Sequence, residues 1–207
     1  MSGSMLGTIA LAEVAGPLKD FAEKLGGREG PEWWEAFKRF LRKDEPWPEF
    51  LVWKTIKLGT GLRTADDFRR ALSENQVRLG DCANDILGSP GFAVAPEETE
   101  MDLVKVTVAK LGFKKGARLD QIYERAKELG LVLCPSEVGP QLRLQYQDQP
   151  SGDWVFIGME PINASDSHPC VFSAGCYASG LWLDGGWGRP DDVWFPVVPW
   201  GLVRPRK

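Results

Sequence analysis

Glycine and proline restrict the fold of this chain more than any other feature of its sequence. The 207 residues include 23 glycines and 15 prolines, and both residue types interrupt helices and strands. Between these breaks, apolar residues recur every three or four positions in the N-terminal part, which is typical of helices, and short apolar runs follow Asp153. We therefore expect an α+β protein in which N-terminal helices precede a mixed domain of short elements.

A proline-containing linker divides the sequence into two predicted parts. We expect residues 1–48 to form a helical N-terminal segment that ends in this linker, Asp44–Pro48. Its two helices are predicted to begin at Pro17 and Pro31, because proline suits the first position of a helix. Residues 49–207 are expected to form the mixed α+β domain.

The mixed domain opens with a predicted strand and helix. Residues 51–58 have the length and composition of a strand. Thr64 and Asp67 have the spacing of a capping box, which predicts a helix to about Glu74. Much later, Trp154–Met159 is an apolar run of strand length, and we expect the strands from there onward to form a small antiparallel sheet.

Three segments between residues 99 and 147 predict a helix-turn-helix-like unit. Thr99 and Asp102 repeat the capping-box spacing and would open a helix that Gly112 ends. The apolar residues of Leu119–Leu129 predict the second helix. The third segment, residues 135–146, fits either a helix or a strand.

Three phrases of this domain, VWKTIKLGTG at 52–61, LRTADDFRRAL at 62–72 and CPSEVGPQLRLQYQDQP at 134–150, carry a family resemblance. They resemble a family of small uncharacterised bacterial proteins, and the resemblance covers roughly residues 50–200. It implies no function here, because no activity is established for that family.

The tryptophans suggest a binding surface near the C-terminus. Nine are present, and indole rings beside polar groups suit a sugar ring, a peptide or a proline-rich segment. The candidate ligand-binding residues are Trp182, Asp184, Trp187, Arg189 and Trp194. In the competing interpretation these tryptophans cover the end of the sheet. We expect Trp187, between glycines, to be exposed, and Trp182 to turn one face to the core. The preferred hypothesis is a non-catalytic binding or accessory module with an unknown protein or small-molecule ligand.

A winged-helix-like nucleic-acid binder is the first alternative. Its candidate residues are Lys114, Lys115 and Arg118 for phosphates, and Gln141, Arg143 and Gln145 for bases. However, 25 basic against 29 acidic side chains give a net charge of −4, and a nucleic-acid-binding domain usually has a basic stripe.

A small hydrolase of unknown substrate is the second alternative, and it would require a pocket at Glu160, His168 or Cys170. His168 is the only histidine, and Asp166–Cys170 has the composition of a turn. The chain has no P-loop, dinucleotide-binding, G-x-S-x-G or H-E-x-x-H pattern. We therefore expect no metal, no cofactor and no catalytic residue.

Cysteine spacing and hydropathy bear on the compartment. None of the four cysteines belongs to a C-x-x-C pair, and we expect all four thiols to be reduced. No apolar stretch reaches the roughly 18 residues of a membrane-spanning helix. Met5–Ala15 contains Glu13 and lacks a basic flank, so it is interpreted as a helix or tail and not as a signal peptide. These features predict a cytoplasmic protein without membrane contact.

Overall fold

The computed structural model describes residues 11–28, 30–41, 50–165 and 167–206. It divides the chain into two compact units, Met1–Glu49 and Phe50–Lys207. The predicted linker Asp44–Pro48 lies outside the described residues, as does the beginning of the Met5–Ala15 segment. Within the described ranges, no helix has both the length and the apolar character needed to cross a membrane.

The first unit contains two helices, α1 (Leu11–Leu25) and α2 (Gly30–Leu41). Pro17 lies inside α1, so this helix begins earlier than the sequence predicted. The rings of Phe21 and Phe37 pack with their centroids 4.6 Å apart. The contact shows that the two apolar faces meet.

The described residues of the second unit form four helices and ten strands. The helices are α3 (Ala65–Glu74), α4 (Asp81–Gly88), α5 (Leu119–Glu128) and α6 (Val138–Gln145). The strands are β1 (Lys54–Leu58), β2 (Arg78–Leu79), β3 (Thr99–Thr107), β4 (Ala117–Arg118), β5 (Trp154–Ile157), β6 (Ile162–Asn163), β7 (Pro169–Tyr177), β8 (Gly180–Trp187), β9 (Val193–Trp194) and β10 (Pro199–Val203). The α+β class is confirmed.

The expectation of a small antiparallel sheet is wrong. A large curled sheet runs in the order β1-β3-β10-β5-β7-β8-β2, and β6 adds to β7. It contains two parallel pairs, β10 with β5 and β2 with β8. The sheet is large because β1, β2 and β3, which precede the predicted β region, join it by pairings between distant parts of the chain. A separate two-stranded ribbon, β4 with β9, completes the β structure.

The predicted first helix of the helix-turn-helix-like unit is also wrong. Residues Thr99–Thr107 form β3, which pairs with β1 on one side and β10 on the other. Val104, Val106 and Val108 are buried and alternate with less buried residues. β-branched side chains at alternate positions favour a strand, and pairing on both sides outweighs the capping-box spacing. Without this helix the unit has no helix-turn-helix geometry.

Local signals located two other helices correctly. Thr64 and Asp67 form the predicted capping box at the start of α3, with the Asp67 backbone N–H donating to Thr64 Oγ1 at 3.1 Å. α5 buries Leu119, Ile122 and Ala126, as its periodicity predicted. The ambiguous segment 135–146 contains a helix, α6.

α6 packs against one face of the sheet, opposite an aromatic cluster. A Cβ atom at Gly139 would lie 2.4 Å from the Phe172 ring of β7, so that ring lies directly on α6. The next residue, Ser173, faces the other side and pairs with Phe156. Phe156 packs there against Trp200, whose side chain is completely buried.

Three polar side chains of the α6 segment attach it to β1 and the following loop. Glu137, which is completely buried, accepts backbone hydrogen bonds from Gly59 at 2.8 Å and Ala95 at 2.7 Å. Gln145 donates to the carbonyl of Lys57 at 2.8 Å and accepts from its N–H at 2.9 Å. Between them, Gln141 donates to Glu137 at 2.9 Å. These residues, spaced by four, form what we call the polar ladder.

Candidate binding surface

The structure separates the predicted ligand-binding residues. Trp182 and Asp184 share one face of β8, and both are half-buried. The Trp182 indole N–H donates to Ser179 Oγ at 2.9 Å, and the Arg78 guanidinium lies 5.6 Å from its ring centroid. Asp184 accepts the N–H of Gly185 at 2.8 Å. These contacts fix both side chains to their own sheet.

Trp187 lies at the end of β8, on the other face of the strand from Trp182. Its side chain is 65% exposed. The His168 ring stacks on it at 6.0 Å, and the Arg189 guanidinium lies 5.9 Å from its centroid. Trp187 and Arg189 therefore form one exposed aromatic and cationic group.

Trp194 has a different environment, inside the aromatic cluster that covers the sheet. Its ring is 4.6 Å from Phe156 and 4.7 Å from Trp200, edge to face in both cases. This packing agrees with the second interpretation of the tryptophans given above, in which they cover the sheet and do not bind a ligand. Trp194 is therefore a packing residue that orients its neighbours in the chain.

Those neighbours form an apolar stripe of three residues, Val193, Phe195 and Val197. They are 69%, 73% and 76% exposed, respectively. Because side chains alternate along extended chain, the inward position of Trp194 directs Val193 and Phe195 outward. Val197 follows in a turn that Val198 N–H closes by donating to the Phe195 carbonyl at 3.1 Å. We call these three residues the 193–197 stripe.

Backbone hydrogen bonds hold the 193–197 stripe in place. Val193 pairs with Arg118 in the β4–β9 ribbon. Beyond the ribbon, the carbonyl of Pro196 accepts from Ala109 N–H at 2.9 Å, and that of Val198 accepts from Val108 at 3.1 Å. The apolar side chains are therefore presented on a fixed backbone.

A cationic turn borders the stripe. A Cβ atom at Gly116 would lie 3.7 Å from the Cα of Phe195, which places the Lys114–Arg118 segment beside it. Lys114 and Lys115 are exposed. Arg118 pairs with Asp120 at 2.6 Å, and its hydrogen bond holds the pKa of that carboxyl below its usual value.

The six candidate nucleic-acid-binding residues do not form one surface. Gln141 and Arg143 are buried in α6, and Gln145 is bonded to the backbone of β1. The buried Gln141 and Arg143 cannot face a base, whereas Lys114, Lys115 and Arg118 are exposed. Residues Val138–Arg143 of α6 are buried, so most of this helix is not presented to a nucleic acid.

Arg143 has an unusual environment for a cation. Its guanidinium donates to Gln149 Oε1, to the Tyr146 carbonyl and, at 3.2 Å, to the Gly175 carbonyl. Burial lowers the pKa of Arg143 from its usual value. These partners show that this side chain organises the end of α6.

The residues of the hydrolase alternative do not converge on a described cleft. Glu160 is exposed and Cys170 is buried. One cleft of about 200 Å³ is lined by Gly59–Arg63 and Val94–Pro96 residues. Another of about 320 Å³ is lined by α4, its following turn and residues 163–165, together with Arg69. Within the part of the chain that the structure describes, no three His, Cys, Asp or Glu side chains are grouped as metal ligands.

Comparisons with family models, with curated proteins and with solved structures found no match to this chain. The family resemblance of the three sequence phrases therefore stays a prediction.

The sequence analysis missed Val193, Phe195 and Val197 as candidate contact residues. The signal was present in the alternation of Val193, Phe195 and Val197 around Trp194. Alternation within so short a segment also fits a buried strand. Only the position of Trp194 inside the aromatic cluster shows which residues face outward.

Proposed function

We propose that this protein is a non-catalytic binding module that attaches to a partner protein through the 193–197 stripe. The observation that carries the proposal is the exposure of all three side chains, 69–76%, on a backbone fixed by hydrogen bonds. Adjacent apolar residues exposed in this way are typical of interaction sites.

The energetics favour a protein contact. Burial of one such side chain contributes about 1.5–3 kcal/mol, so three together supply a useful part of a binding free energy. Because the backbone is already ordered, little conformational entropy is lost on binding. Phe195, the largest of the three, is the expected centre of the contact.

The charge at the edge of the stripe indicates the chemistry of the partner. Lys114 and Lys115 are exposed on the adjoining turn, and such cations at the rim of an interface accelerate association with an acidic surface. We therefore propose a partner with an apolar groove bordered by carboxylates. Trp187 and Arg189 supply a further exposed group in the same C-terminal region.

Site-specific photocrosslinking tests the proposal. A benzophenone amino acid replaces Phe195 in one variant and Lys127, which is exposed on α5, in a matched control. Both are irradiated in cells of the native host, and adducts are identified by mass spectrometry. We expect one discrete protein adduct from position 195 that position 127 does not give.

Binding of the identified partner then provides a quantitative test. Phe195→Ala is expected to weaken binding at least tenfold, which corresponds to about 1.4 kcal/mol, and Lys127→Ala to leave it unchanged. Equal crosslinking at both positions, or unchanged affinity of Phe195→Ala, would contradict the proposal.

A further inference from the structure

Two of the four thiols lie next to each other between α4 and the β7–β8 hairpin. Cys82 is the second residue of α4 and points onto β8, where its Sγ lies 2.6 Å from the position that a Cβ at Gly185 would take. Glycine at position 185 therefore provides the space for this thiol. Cys82 is half-buried and Cys170, on β7, is buried.

The strand register places Cys170 beside that space. Cys170 pairs with Trp187 and Phe172 pairs with Gly185, so Cys170 and Gly185 are diagonal neighbours on one face of the sheet. The pKa of the Cys82 thiol is raised first by burial and then by its interaction with Cys170, which is consistent with this proximity. These contacts come from two different elements, and together they define the pair.

The other cysteines do not share this position. Cys134 donates its S–H to the Gly201 carbonyl at 3.4 Å, on another part of the sheet. Cys176 lies on the same strand as Cys170 but pairs with Leu181, near the opposite end of the hairpin.

We propose that Cys82 and Cys170 are an oxidisable thiol pair, which a hydroperoxide converts into a disulfide that links α4 to β7. The half-buried Cys82 is the thiol that peroxide reaches first. Its sulfur attacks the peroxide oxygen, the O–O bond breaks, and the alcohol leaves with one proton, which gives a sulfenic acid. The sulfur of Cys170 then attacks the sulfenic sulfur, and one water leaves. Two thiols and one hydroperoxide thus give one disulfide, one alcohol and one water, and two electrons pass from sulfur to oxygen.

Local chemistry makes the reaction slow. Burial raises the pKa of the Cys82 thiol, and the thiolate is the reactive form. The pair therefore stays reduced under mild conditions and closes under sustained peroxide. Once closed, the disulfide restricts the unfolded chain between residues 82 and 170, and loops of this length give a large stabilisation.

The test uses the folded full-length chain and tert-butyl hydroperoxide. After oxidation the protein is denatured, alkylated with N-ethylmaleimide and examined by intact mass and peptide mapping. We expect alkylation of only two of the four cysteines, a linked peptide that contains Cys82 and Cys170, and reversal by dithiothreitol. A double variant, Cys134→Ser with Cys176→Ser, should form the same link, and Cys82→Ser should not form it.

Several results would overturn the proposal. These are alkylation of all four thiols after prolonged oxidation, a link between any other two cysteines, or over-oxidation of Cys82 without a link. A circular dichroism spectrum of each variant verifies folding, and the double variant keeps the pair testable if Cys82→Ser fails to fold.

Discussion

The α6 segment and the 193–197 stripe reverse the usual distribution of polar and apolar residues in opposite ways. α6 brings Gln141 and Arg143 into the interior, whereas the stripe exposes Val193, Phe195 and Val197 to solvent. The two regions differ in whether these side chains have interaction partners within the protein. Gln141 and the two terminal nitrogens of the Arg143 guanidinium have specific hydrogen-bond partners within the protein, so their burial is explained by the fold. The exposed apolar side chains of the stripe are left largely in contact with water, so their burial does not stabilise the fold. For this reason we assign binding to the stripe and not to α6.

The polar ladder also has an architectural role. β1 is an edge strand, and exposed edges invite pairing with other chains. The Gln145 side-chain amide bonds both backbone groups of Lys57, which is what a further strand would do. The ladder therefore blocks that part of the edge.

Removal of the Glu137 carboxylate should have the largest effect on stability. Glu137→Ala leaves the N–H groups of Gly59 and Ala95 without their acceptor. It also removes one of the two acceptors of the Gln141 amide, which keeps Thr60 Oγ1 at 2.8 Å. Each unsatisfied buried donor costs about 1–3 kcal/mol, so we expect a loss of at least about 2 kcal/mol in urea unfolding. Glu128→Ala, which removes an exposed partner of Arg125, is the control. A loss under about 1 kcal/mol would mean that the ladder is not structural.

Gln145→Ala should have an intermediate effect. It removes two hydrogen bonds to the β1 edge, and each is worth about 0.5–1.5 kcal/mol, so we expect a loss of about 1–2 kcal/mol by the same measurement. The matched control is Gln147→Ala, because Gln147 donates to carbonyls of its own segment, those of Leu144 at 2.9 Å and Arg143 at 3.4 Å. Equal losses in the two variants would refute the edge-blocking role.

Acid should weaken the polar interior. Burial alone would raise the pKa of Asp153, but the hydrogen bond and charge of Lys105 outweigh it and hold that pKa below its usual value of about 3.8. A carboxyl with a lowered folded pKa contributes stability above its unfolded pKa. This contribution is lost as the pH falls below about 3.8 through the folded pKa. We expect Asp153→Asn to be less stable than the wild type at neutral pH and to converge with it in acid, by denaturant melts at several pH values. A constant difference down to pH 2 would be inconsistent with this role for Asp153.

The exposed residues should show the smallest effects. Phe195→Ser and Trp187→Ala are expected to change the free energy of unfolding by no more than about 0.5 kcal/mol, as for ordinary surface substitutions. The contrasting variant is Trp200→Ala, inside the aromatic cluster, with an expected loss of about 3–5 kcal/mol. A loss of several kcal/mol in Phe195→Ser with an unchanged denaturant slope would show that the stripe belongs to the core.

Local chemistry explains which elements were predictable from the sequence. α3 was located by its capping box and α5 by its periodicity. Each of these signals is contained in a short stretch of the chain, so it can be recognised without knowledge of distant partners. β3 was predicted as a helix because a strand between two distant partners has no local marker beyond its β-branched residues. The same limit applied to Arg143, whose partners Gln149 and Gly175 come from separate elements.

The candidate surface was predictable only in part. The sequence pointed to the tryptophan-rich region, and Trp187 is exposed there. It did not distinguish Trp194, which packs inward, from its neighbour Phe195, because both are aromatic and adjacent. Their orientations depend on Phe156 and Trp200, which belong to other strands.

The position of β10 in the sheet has a consequence for synthesis of the chain. β10 is the strand that joins β1–β3 to β5–β7–β8, and it contributes Trp200 to the centre of the aromatic cluster. A ribosome must therefore release the chain as far as Val203 before the two halves of the sheet can pair. Until then β3 and β5 each present an open edge, and such edges are exposed to aggregation during slow assembly. Closure of the sheet in the nascent protein thus depends on β10, and translation pauses before residue 199 would prolong the vulnerable state.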